Sequence, residues 1–314
     1  MEGTEIKMTD LKFKPVEAED MKVLAPYFGL RPNKTCDSVP LDSFIWRKYY
    51  HVQYAIHENK ALLWLMKEEG VMHSAMPLCK EENLKKYFDM TVEYFNNVLH
   101  IPLKIYLADE EAVEFLHLKE SDDFVVTEQE DLKDYLYDGE AMRKLSGKKL
   151  HKKKNHLNAF LKEYEGRYEF RRLCCSDRDD VWRFLDHWRE GKGDEVEEHL
   201  DYEVEGIHEI LKQCLDLDIR MFGVYIDGTL EAFTIGSYNP AENMAVIHIE
   251  KANPEIRGLY QFINQQFLVQ EFPDVALVNR EDDLGQEGLR HAKMSYNPCG
   301  FARKYLVQQK NFSR

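Results

Sequence analysis

The 314-residue sequence lacks the segments that carry proteins into or across a membrane. Its longest apolar run, "ALLWLM" at 61–66, is far shorter than the roughly 20 residues that a membrane-spanning helix needs. The N-terminal stretch has no basic segment followed by an apolar one, so the sequence predicts no signal peptide. We therefore expect a cytoplasmic protein without a membrane span.

Cysteine spacings typical of redox or zinc sites are also missing. None of the six cysteines stands in a Cys-x-x-Cys pair, and the adjacent Cys174 and Cys175 do not readily bridge each other. Reduced thiols, as in most cytosolic proteins, are the expectation. An acidic set of Glu281, Asp283 and Glu287 has no histidine or cysteine spacing to support it as a metal site. We expect no metal.

An excess of positive charge is absent too, since 57 acidic and 42 basic residues give a net charge of −15. This balance argues against a general nucleic-acid coat. One segment departs from it, because 141–162 holds no acid, and Leu150, Leu157 and Leu161 recur there at helical spacing. A solvated helix between domains and a phosphate-binding surface for a nucleotide or an RNA end both remain open. The basic residues of this segment are Arg143, Lys144, Lys148, Lys149, Lys152, Lys153, Lys154 and Lys162.

The length suits two domains better than one, and a weak internal repeat supports that division. Pro102 and Pro273 stand 171 residues apart, and the same offset aligns Phe88 with Leu259. Each half predicts a hairpin, a strand, a long helix, a strand and a helix, so we expect two copies of one fold. The predicted boundaries are 1–140 for the first domain, 141–164 for the basic helix and 165–314 for the second domain.

The second half contains a strand-to-helix junction that suits a phosphate. The strand 244–252 is apolar on both faces and is followed by Pro254, which suits the first turn of a helix. A helix that begins directly after a central strand presents free N–H groups and a positive dipole. A further strand at 275–279 and a helix that runs into Tyr296 complete the pattern.

These pieces resemble the GNAT superfamily of N-acyltransferases. The residues that carry the resemblance are Pro254, Arg257, Gly258, Ala292, Tyr296, Gly300 and Phe301. The chain also resembles a narrower family, the soluble relatives of the C-terminal domain of phosphatidylglycerol lysyltransferase, which is a tandem GNAT fold. This resemblance covers nearly the whole chain, and its most specific segments are "LSGKKLHKKKNHLNAF" and "NREDDLGQEGLRHAKMSYNPCGF". The resemblance implies an α/β (α+β) protein with two tandem GNAT-like domains, whose mixed, mainly antiparallel sheets are flanked by helices.

Two departures from the GNAT pattern bear on function. Tyr260 stands where the phosphate loop usually has its last glycine, and a side chain there crowds a coenzyme A pyrophosphate. The first half has no such loop, because "KEENLKKYF" replaces it, so we expect a degenerate copy with a structural or acceptor-shaping role.

Three functions follow as alternatives from the resemblance. The first is an N-acyltransferase that moves an acyl group from acyl-CoA, as co-substrate, to an amine of a small molecule or peptide. The second is an aminoacyltransferase that uses aminoacyl-tRNA, with the tRNA bound at the basic segment 143–154. The third is a non-catalytic tandem module that binds a nucleotide. The chain is a transferase under the first two.

The candidate site residues follow from the chemistry of acyl transfer to an amine. In a regular strand His248 and Glu250 share one face, which makes them candidates for the base, or merely a surface pair. By resemblance Tyr296 protonates the leaving group; its other interpretation is an aromatic plug. The predicted donor-binding residues are Ile256, Arg257, Gly258, Leu259, Asn279, Arg280, Lys152 and Lys153.

A helical lid on the acceptor side is a further prediction. The segment 187–209 holds His187, His199 and His208 at spacings that fit no zinc motif. Gly191 and Gly193 are the expected hinge.

Overall fold

The computed structural model describes residues 11–190, 198–310 and 312. Within these ranges fifteen β-strands form three sheets, and ten α-helices cover or connect them. The strands are β1 (Lys14–Pro15), β2 (Gln53–His57), β3 (Ala61–Glu68), β4 (Val71–His73), β5 (Leu78–Cys79), β6 (Lys104–Asp109), β7 (Phe124–Glu128), β8 (Asp134–Asp138), β9 (Tyr168–Arg172), β10 (Arg220–Ile226), β11 (Thr229–Asn239), β12 (Met244–Ala252), β13 (Leu277–Asn279), β14 (Gly300–Ala302) and β15 (Lys304–Gln309). The helices are α1 (Met21–Phe28), α2 (Pro40–Ile45), α3 (Leu84–Asn97), α4 (Glu110–Phe115), α5 (Gly139–Lys144), α6 (His151–Glu163), α7 (Arg178–Glu190), α8 (Glu198–Lys212), α9 (Leu259–Glu271) and α10 (Glu287–Met294).

The second half is built on a seven-stranded sheet in the order β14-β8-β13-β12-β11-β10-β9. All neighbours are antiparallel except β12 and β13, which run parallel. The β10–β11 hairpin turns at Asp227 and Gly228, whose φ values of 50° and 86° match a two-residue type I′ turn. Helices α7 and α9 both pack against β11, and α5 and α6 pack on α9.

The first half contains two smaller sheets. One has the order β1-β2-β3-β4 with β5 beside β3, and the other has the order β6-β15-β7. A parallel bridge between Ser74 and Ile105 connects them, with the Ser74 N–H donating to Lys104 O at 2.9 Å. The mixed, mainly antiparallel sheets with flanking helices agree with the predicted fold class.

The two halves exchange one strand each. Strand β15, from the end of the chain, lies between β6 and β7 of the first half, whereas β8 lies between β13 and β14 of the second. Strand β8 precedes the boundary predicted at 140 and β15 follows the one predicted at 165, yet each lies in a sheet of the other half. The domain division itself remains a prediction. Two copies of one fold have equivalent places in their sheets, so each can receive a strand from the other.

The largest hydrophobic cluster draws side chains from both halves. Phe44 and Ile45 of α2 lie in it together with Ile207 of α8, and Phe233 of β11 packs in the same cluster. A backbone contact is part of the same junction, because a Cβ on Gly206 would lie 2.8 Å from Ile45 O. Burial of this apolar surface holds the first-half helices against the sheet of the second half.

The basic segment forms the predicted helix, α6. Its Leu157 and Phe160 are buried against α9, and Lys152 and Lys154 are exposed. The helix that follows β12, however, begins at Leu259 and not at Pro254. Gly258 is its N-cap with a φ of 84°, a backbone conformation that glycine adopts readily, and residues 254–257 form turns and a bend.

Two other expectations meet the structure here. A disulfide joins Cys175 to Cys214, which corrects the expectation that all thiols are reduced; it connects the segment before α7 to the end of α8. Cys36 and Cys79 are free and buried, and Cys174 and Cys299 are free and exposed. Among the described residues, no helix is both long and apolar enough to cross a membrane.

Candidate functional site

The candidate site lies where β12 and β13 part. The two strands pair only from Met244 with Leu277 to Val246 with Asn279, after which β12 continues without β13. The chain leaves β13 through Arg280 and Glu281, and Glu281 has a φ of 58°. With the backbone of Glu281 in the left-handed region, the side chains of Arg280 and Glu281 contact different residues. Arg280 contacts Glu250, and Glu281 contacts His248.

A β-bulge overturns the prediction that His248 and Glu250 share a face. Ile249 pairs with Ile235 of β11 and Ile247 with Gly236, so His248 has no partner in the ladder. The extra residue breaks the alternation of side chains. His248 therefore lies on the face that packs against the first half and bonds to Ser237 and Glu281. Glu250 lies on the opposite face, against α9.

The α9 face holds a group that we call the tyrosine cluster: Glu250, Arg280, Tyr296, Lys153 and Asn264. Arg280 donates to Glu250 Oε1 at 2.8 Å, and Asn264 donates to Glu250 Oε2 at 2.7 Å. Tyr296 is 6% exposed, and two cationic side chains contact its ring. Lys153 Nζ lies 4.2 Å and Arg280 Cζ lies 4.8 Å from the ring centroid. Cations in this position are attracted by the aromatic quadrupole.

Burial sets the protonation of the tyrosine cluster. It raises the pKa of the Tyr296 phenol, although Arg280 acts against it, so the phenol is a proton donor at neutral pH. Burial, together with Arg280 and Lys152, lowers the pKa of Lys153. For Arg280 burial acts to lower the pKa, but Glu250, Tyr137 and Tyr296 together outweigh it and the pKa is raised. Arg280 Nη1 is buried and has no hydrogen-bond partner among the described residues.

The opposite face holds a group that we call the carboxylate cluster: Asp37, Asp42, Asp134, Glu281 and Asp282. His248 connects to it, since its Nδ1 lies 2.8 Å from Glu281 Oε1 and its Nε2 lies 3.0 Å from Ser237 Oγ. Burial lowers the pKa of His248 to about 3, so the ring is neutral. A neutral ring that donates to Glu281 accepts from the Ser237 hydroxyl.

A buried lysine neutralises part of the carboxylate cluster. Lys304 Nζ lies 2.8 Å from Asp134 Oδ1 and 3.3 Å from Asp37 Oδ2, and its side chain is 1% exposed. Burial acts to lower its pKa, but Asp134 and Asp37 outweigh it and the pKa is raised. Both Asp134 and Lys304 begin exchanged strands, β8 and β15. The exchange therefore brings them to a site that no local sequence pattern indicates.

The other carboxyl groups of this cluster are protonated more readily than usual. Burial, with Asp37 and Glu281 next in effect, raises the pKa of Asp42 well above its ordinary range. Burial also raises the pKa of Glu281, with Asp282 acting in the same direction. The pKa of Asp282 is raised to about 6, again chiefly by burial.

The predicted phosphate loop at the start of α9 is covered by α6. A Cβ on Gly258 would lie 2.1 Å from the carbonyl oxygen of His156, so the two backbones touch. Leu259 is fully buried, and its N–H donates to Ile256 O at 3.3 Å. Ile256 is half-buried and donates to Asn253 O, while Arg257 is exposed. The backbone of α6 thus lies where a phosphate would approach Gly258.

The remaining predicted donor residues divide between structure and surface. Asn279 is fully buried and donates to Lys34 O at 2.8 Å and to Asp134 Oδ2 at 3.0 Å; its oxygen accepts from the Glu281 N–H. It holds the turn after β13. Lys152 is exposed on α6, and Lys153 reaches Tyr296.

Lys293 is a residue that the sequence analysis missed. Its buried ammonium donates to the carbonyl oxygens of Arg280 and Asp282, and so fixes the turn that carries Arg280 and Glu281. It stands on α10 one turn before Tyr296, a position whose role depends on a contact with another element. No spacing in the sequence signals that contact.

The acidic metal alternative is not assembled. Asp283 accepts from Tyr135 and from Arg290, and Glu287 is exposed at the start of α10. A different group brings its possible ligand atoms within 4.8 Å of one another: Cys36, Asp42 and Glu281. Burial raises the pKa of the Cys36 thiol, which keeps it protonated.

The predicted lid falls partly outside the described residues. Gly191 and Gly193 and the side chain of His199 are outside them. His208 packs on Trp182 with ring centroids 5.0 Å apart, inside the α7–α8 pair. The structure thus gives His208 a packing role, and the lid remains a prediction.

A family model described as "Phosphatidylglycerol lysyltransferase, C-terminal" matches residues 37–308. The chain belongs to this family. The match includes the tyrosine cluster and the carboxylate cluster. It confirms the resemblance drawn from the sequence, and with the sheet topology it confirms the tandem GNAT-like fold.

Individual proteins resemble the chain in fold or in sequence. A conserved protein of unknown function from Bacteroides thetaiotaomicron has a crystal structure that matches with a TM-score of 0.85 at 25% identity, covering 96% of this chain and 100% of that one. L-PGS from Bacillus licheniformis matches with a TM-score of 0.66 at 15% identity, covering 96% and 95%. An uncharacterised protein of Mycoplasmoides gallisepticum is 25% identical over 289 residues, 85% of this chain and 90% of its own length.

Proposed function

We propose that this protein transfers an aminoacyl group from an aminoacyl-tRNA to an amine, through the opening between β12 and β13. The observation that carries the proposal is the meeting of two polar clusters at Arg280 and Glu281, one on each face of the sheet. One face can hold the activated donor and the other the acceptor. The family's description, which names a lysyltransferase, supports transfer of an amino acid.

The covered loop favours an RNA donor over acyl-CoA. A coenzyme A pyrophosphate needs the free N–H groups at a helix N-terminus. Here the backbone of α6 at His156 occupies the space in front of Gly258, and Tyr260 is largely buried behind it. We therefore place the phosphates of the donor on the exposed surface of α6, outside this loop.

The exposed surface of α6 and the turn before it is strongly basic. Lys148, Lys149, Lys152 and Lys154 are exposed, and no described carboxylate lies within 4.0 Å of any of them. A depression at the start of α6 is lined by Leu145, Ser146, Gly147, Lys148, His151 and Lys154. Unpaired lysines attract nucleic-acid phosphates by releasing condensed counterions. Lys153, on the same helix, leads from this surface to Tyr296.

The two faces supply different parts of the reaction. The amine nitrogen attacks the ester carbonyl carbon, and the bond from that carbon to the ribose oxygen breaks. On the α9 face Tyr296 gives its proton to the leaving ribose oxygen. The unpartnered Arg280 Nη1 stabilises the negative charge that develops on the carbonyl oxygen. On the opposite face the Glu281–His248 pair accepts the proton that the amine loses.

A transfer assay tests the proposal. The purified chain is mixed with tRNA charged with radiolabelled amino acids, and n-propylamine serves as the acceptor. We expect labelled N-propyl amides to form faster than in the same mixture without the protein, since a free amine also attacks the aminoacyl ester slowly by itself. Transfer of an acetyl group from acetyl-CoA, with none from aminoacyl-tRNA, would overturn the choice of donor.

The α6 surface is tested by tRNA binding. Substitution of Lys148, Lys149, Lys152 and Lys154 by glutamine is expected to lower the slope of log affinity against log salt by about 3, because each phosphate contact contributes roughly 0.7–0.9. A matched variant replaces four exposed lysines of the first half and must leave the slope unchanged: Lys60, Lys80, Lys85 and Lys86. Equal slopes in both variants would contradict the proposed surface.

A further inference from the structure

Asp42 is a buried carboxylate without a partner. Its side chain is 9% exposed, and it accepts no hydrogen bond and joins no ion pair among the described residues. It lies on α2 of the first half, and the neighbouring Lys304 is already engaged by Asp134 and Asp37. A carboxyl group buried without a cation shifts towards its neutral form, and groups perturbed in this way cluster at functional sites.

Asp42 meets Glu281 across the junction of the halves. Ligand atoms of Cys36, Asp42 and Glu281 all lie within 4.8 Å of one another. Tyr50 is on the same side, and its phenol feels Asp37 and Asp42, whose charges add to the effect of burial in raising its pKa. Two carboxyl groups beside an aromatic ring give this place a negative potential, which favours a cation.

The ligand set suits an ammonium group better than a metal ion. A charged nitrogen contacts carboxylate oxygens at roughly 2.7–2.9 Å, so two oxygens that lie within 4.8 Å of each other can both bind it. The third possible ligand, Cys36, is a protonated thiol that lies 3.1 Å from the ammonium of Lys304, and a metal needs a thiolate.

We propose that Asp42 and Glu281 bind the ammonium group of the acceptor substrate, and that Asp42 selects cationic primary amines over neutral acceptors. This inference rests on the proposed function, because only a transferase has an acceptor substrate. Asp42 holds the cation on the first-half side, and Glu281, next to His248, receives the proton when the bound nitrogen becomes a nucleophile. The degenerate half thereby supplies a specificity-determining residue to the site of the other half.

Equilibrium binding of n-propylammonium tests the site without any donor or turnover. Saturation-transfer NMR at pH 7 is expected to show binding of n-propylammonium and none of propan-1-ol, its uncharged analogue. Asp42→Asn and Glu281→Gln are each expected to weaken binding at least tenfold. Asp89→Asn, which removes an exposed carboxylate of the first half, is the matched control and must leave binding unchanged.

Thermal unfolding separates this role from a structural one. Without ligand, Asp42→Asn is expected to leave Tm unchanged, because burial already favours the neutral form of this carboxyl and the amide has the same size. A lower Tm, or undiminished amine binding in Asp42→Asn, would overturn the inference. Stoichiometric binding of Zn²⁺ or Mn²⁺ that depends on Asp42 and excludes the amine would also overturn it. The binding assay with n-propylammonium contains no tRNA, so its outcome does not depend on the transfer assay. Each of the two assays can therefore fail without affecting the result of the other.

Discussion

The two halves place a buried arginine–carboxylate pair at the same point of the fold, with the partners reversed. In the second half Arg280 follows β13 and donates to Glu250 at 2.8 Å. In the first half the residue 171 positions earlier is Asp109, the last of β6, and it accepts from Arg31 through two bonds of 2.6 and 2.5 Å. Both pairs are nearly inaccessible to solvent.

The surroundings of the pairs differ, and that difference separates a structural ion pair from a candidate site. The offset places Cys79, which carries no carboxylate, at the position of Glu250. At Tyr296 the offset no longer aligns equivalent elements, because Val125 lies inside β7 whereas Tyr296 follows α10. Each arginine has one buried nitrogen without a hydrogen-bond partner among the described residues, Nε of Arg31 and Nη1 of Arg280, but of the two only Arg280 lies against a tyrosine ring. A buried pair alone indicates no chemistry; a spare donor beside a phenol does.

Removal of the Tyr296 hydroxyl sharpens the comparison most. Tyr296→Phe keeps the ring that Lys153 and Arg280 contact, so the fold is expected to survive with little change in Tm. The single-turnover rate of aminoacyl transfer is expected to fall by roughly 10²–10⁴-fold, the usual contribution of a general acid, or about 2.7–5.5 kcal/mol of barrier. An unchanged rate would make Tyr296 an aromatic plug.

Loss of Arg31 tests the structural pair of the first half. Arg31→Met leaves the Asp109 carboxylate buried and unpaired, which is expected to lower the free energy of unfolding by about 3–5 kcal/mol in urea titrations. The double variant Arg31→Met with Asp109→Leu is the control, and it is expected to recover most of the loss. A double variant as unstable as the single one would show that the charge is not the cause.

Contact between α6 and α9 predicts a smaller effect at Gly258. Gly258→Ala puts a Cβ 2.1 Å from His156 O in addition to the strain of its positive φ. The matched control is Gly147→Ala, which has a φ of 88° and nothing within 4 Å of the added Cβ. Because the clash is present only at Gly258, that variant is expected to lose about 1–3 kcal/mol more than the control. Equal losses would mean that the two helices separate easily.

The exchanged strands predict the smallest effects. A tyrosine of each exchanged strand donates to a carboxylate of the other half: Tyr135 to buried Asp283, and Tyr305 to the partly exposed Glu110 at 3.0 Å. Tyr135→Phe is expected to cost about 1–2 kcal/mol and Tyr305→Phe about 0.5–1, because a hydrogen bond to a charged group is worth more where water is excluded. Urea midpoints at unchanged slope measure both. The reverse order would contradict the burial argument.

Local patterns predicted most of the elements, and contacts between distant segments account for the rest. Strand 244–252 was delimited correctly because its apolar run ends at polar residues on both sides, and the Asp227-Gly228 turn has a direct backbone cause. The bulge at His248 was missed because a strand that is buried on both faces shows no alternation that an extra residue would break.

The carboxylate cluster was invisible for a different reason. Asp134 and Lys304 meet because β8 and β15 are exchanged, and strand order across 170 residues is a property of the whole fold. Asp42 lies on a short helix of the half that was expected to be degenerate. The start of α9 was misplaced because Pro254 is typical of a first helical turn, while Gly258 caps the helix through a positive φ that depends on packing against α6.

The most direct test replaces each buried pair by apolar residues and measures aminoacyl transfer from tRNA to n-propylamine. Arg280→Met with Glu250→Leu, and Arg31→Met with Asp109→Leu, are both expected to fold, since apolar replacement of a whole buried pair is often neutral or stabilising. The account predicts that the second-half replacement lowers the single-turnover rate at least 100-fold, while the first-half replacement stays within about threefold of wild type. Equal losses from both replacements, or full activity without Arg280 and Glu250, would contradict it.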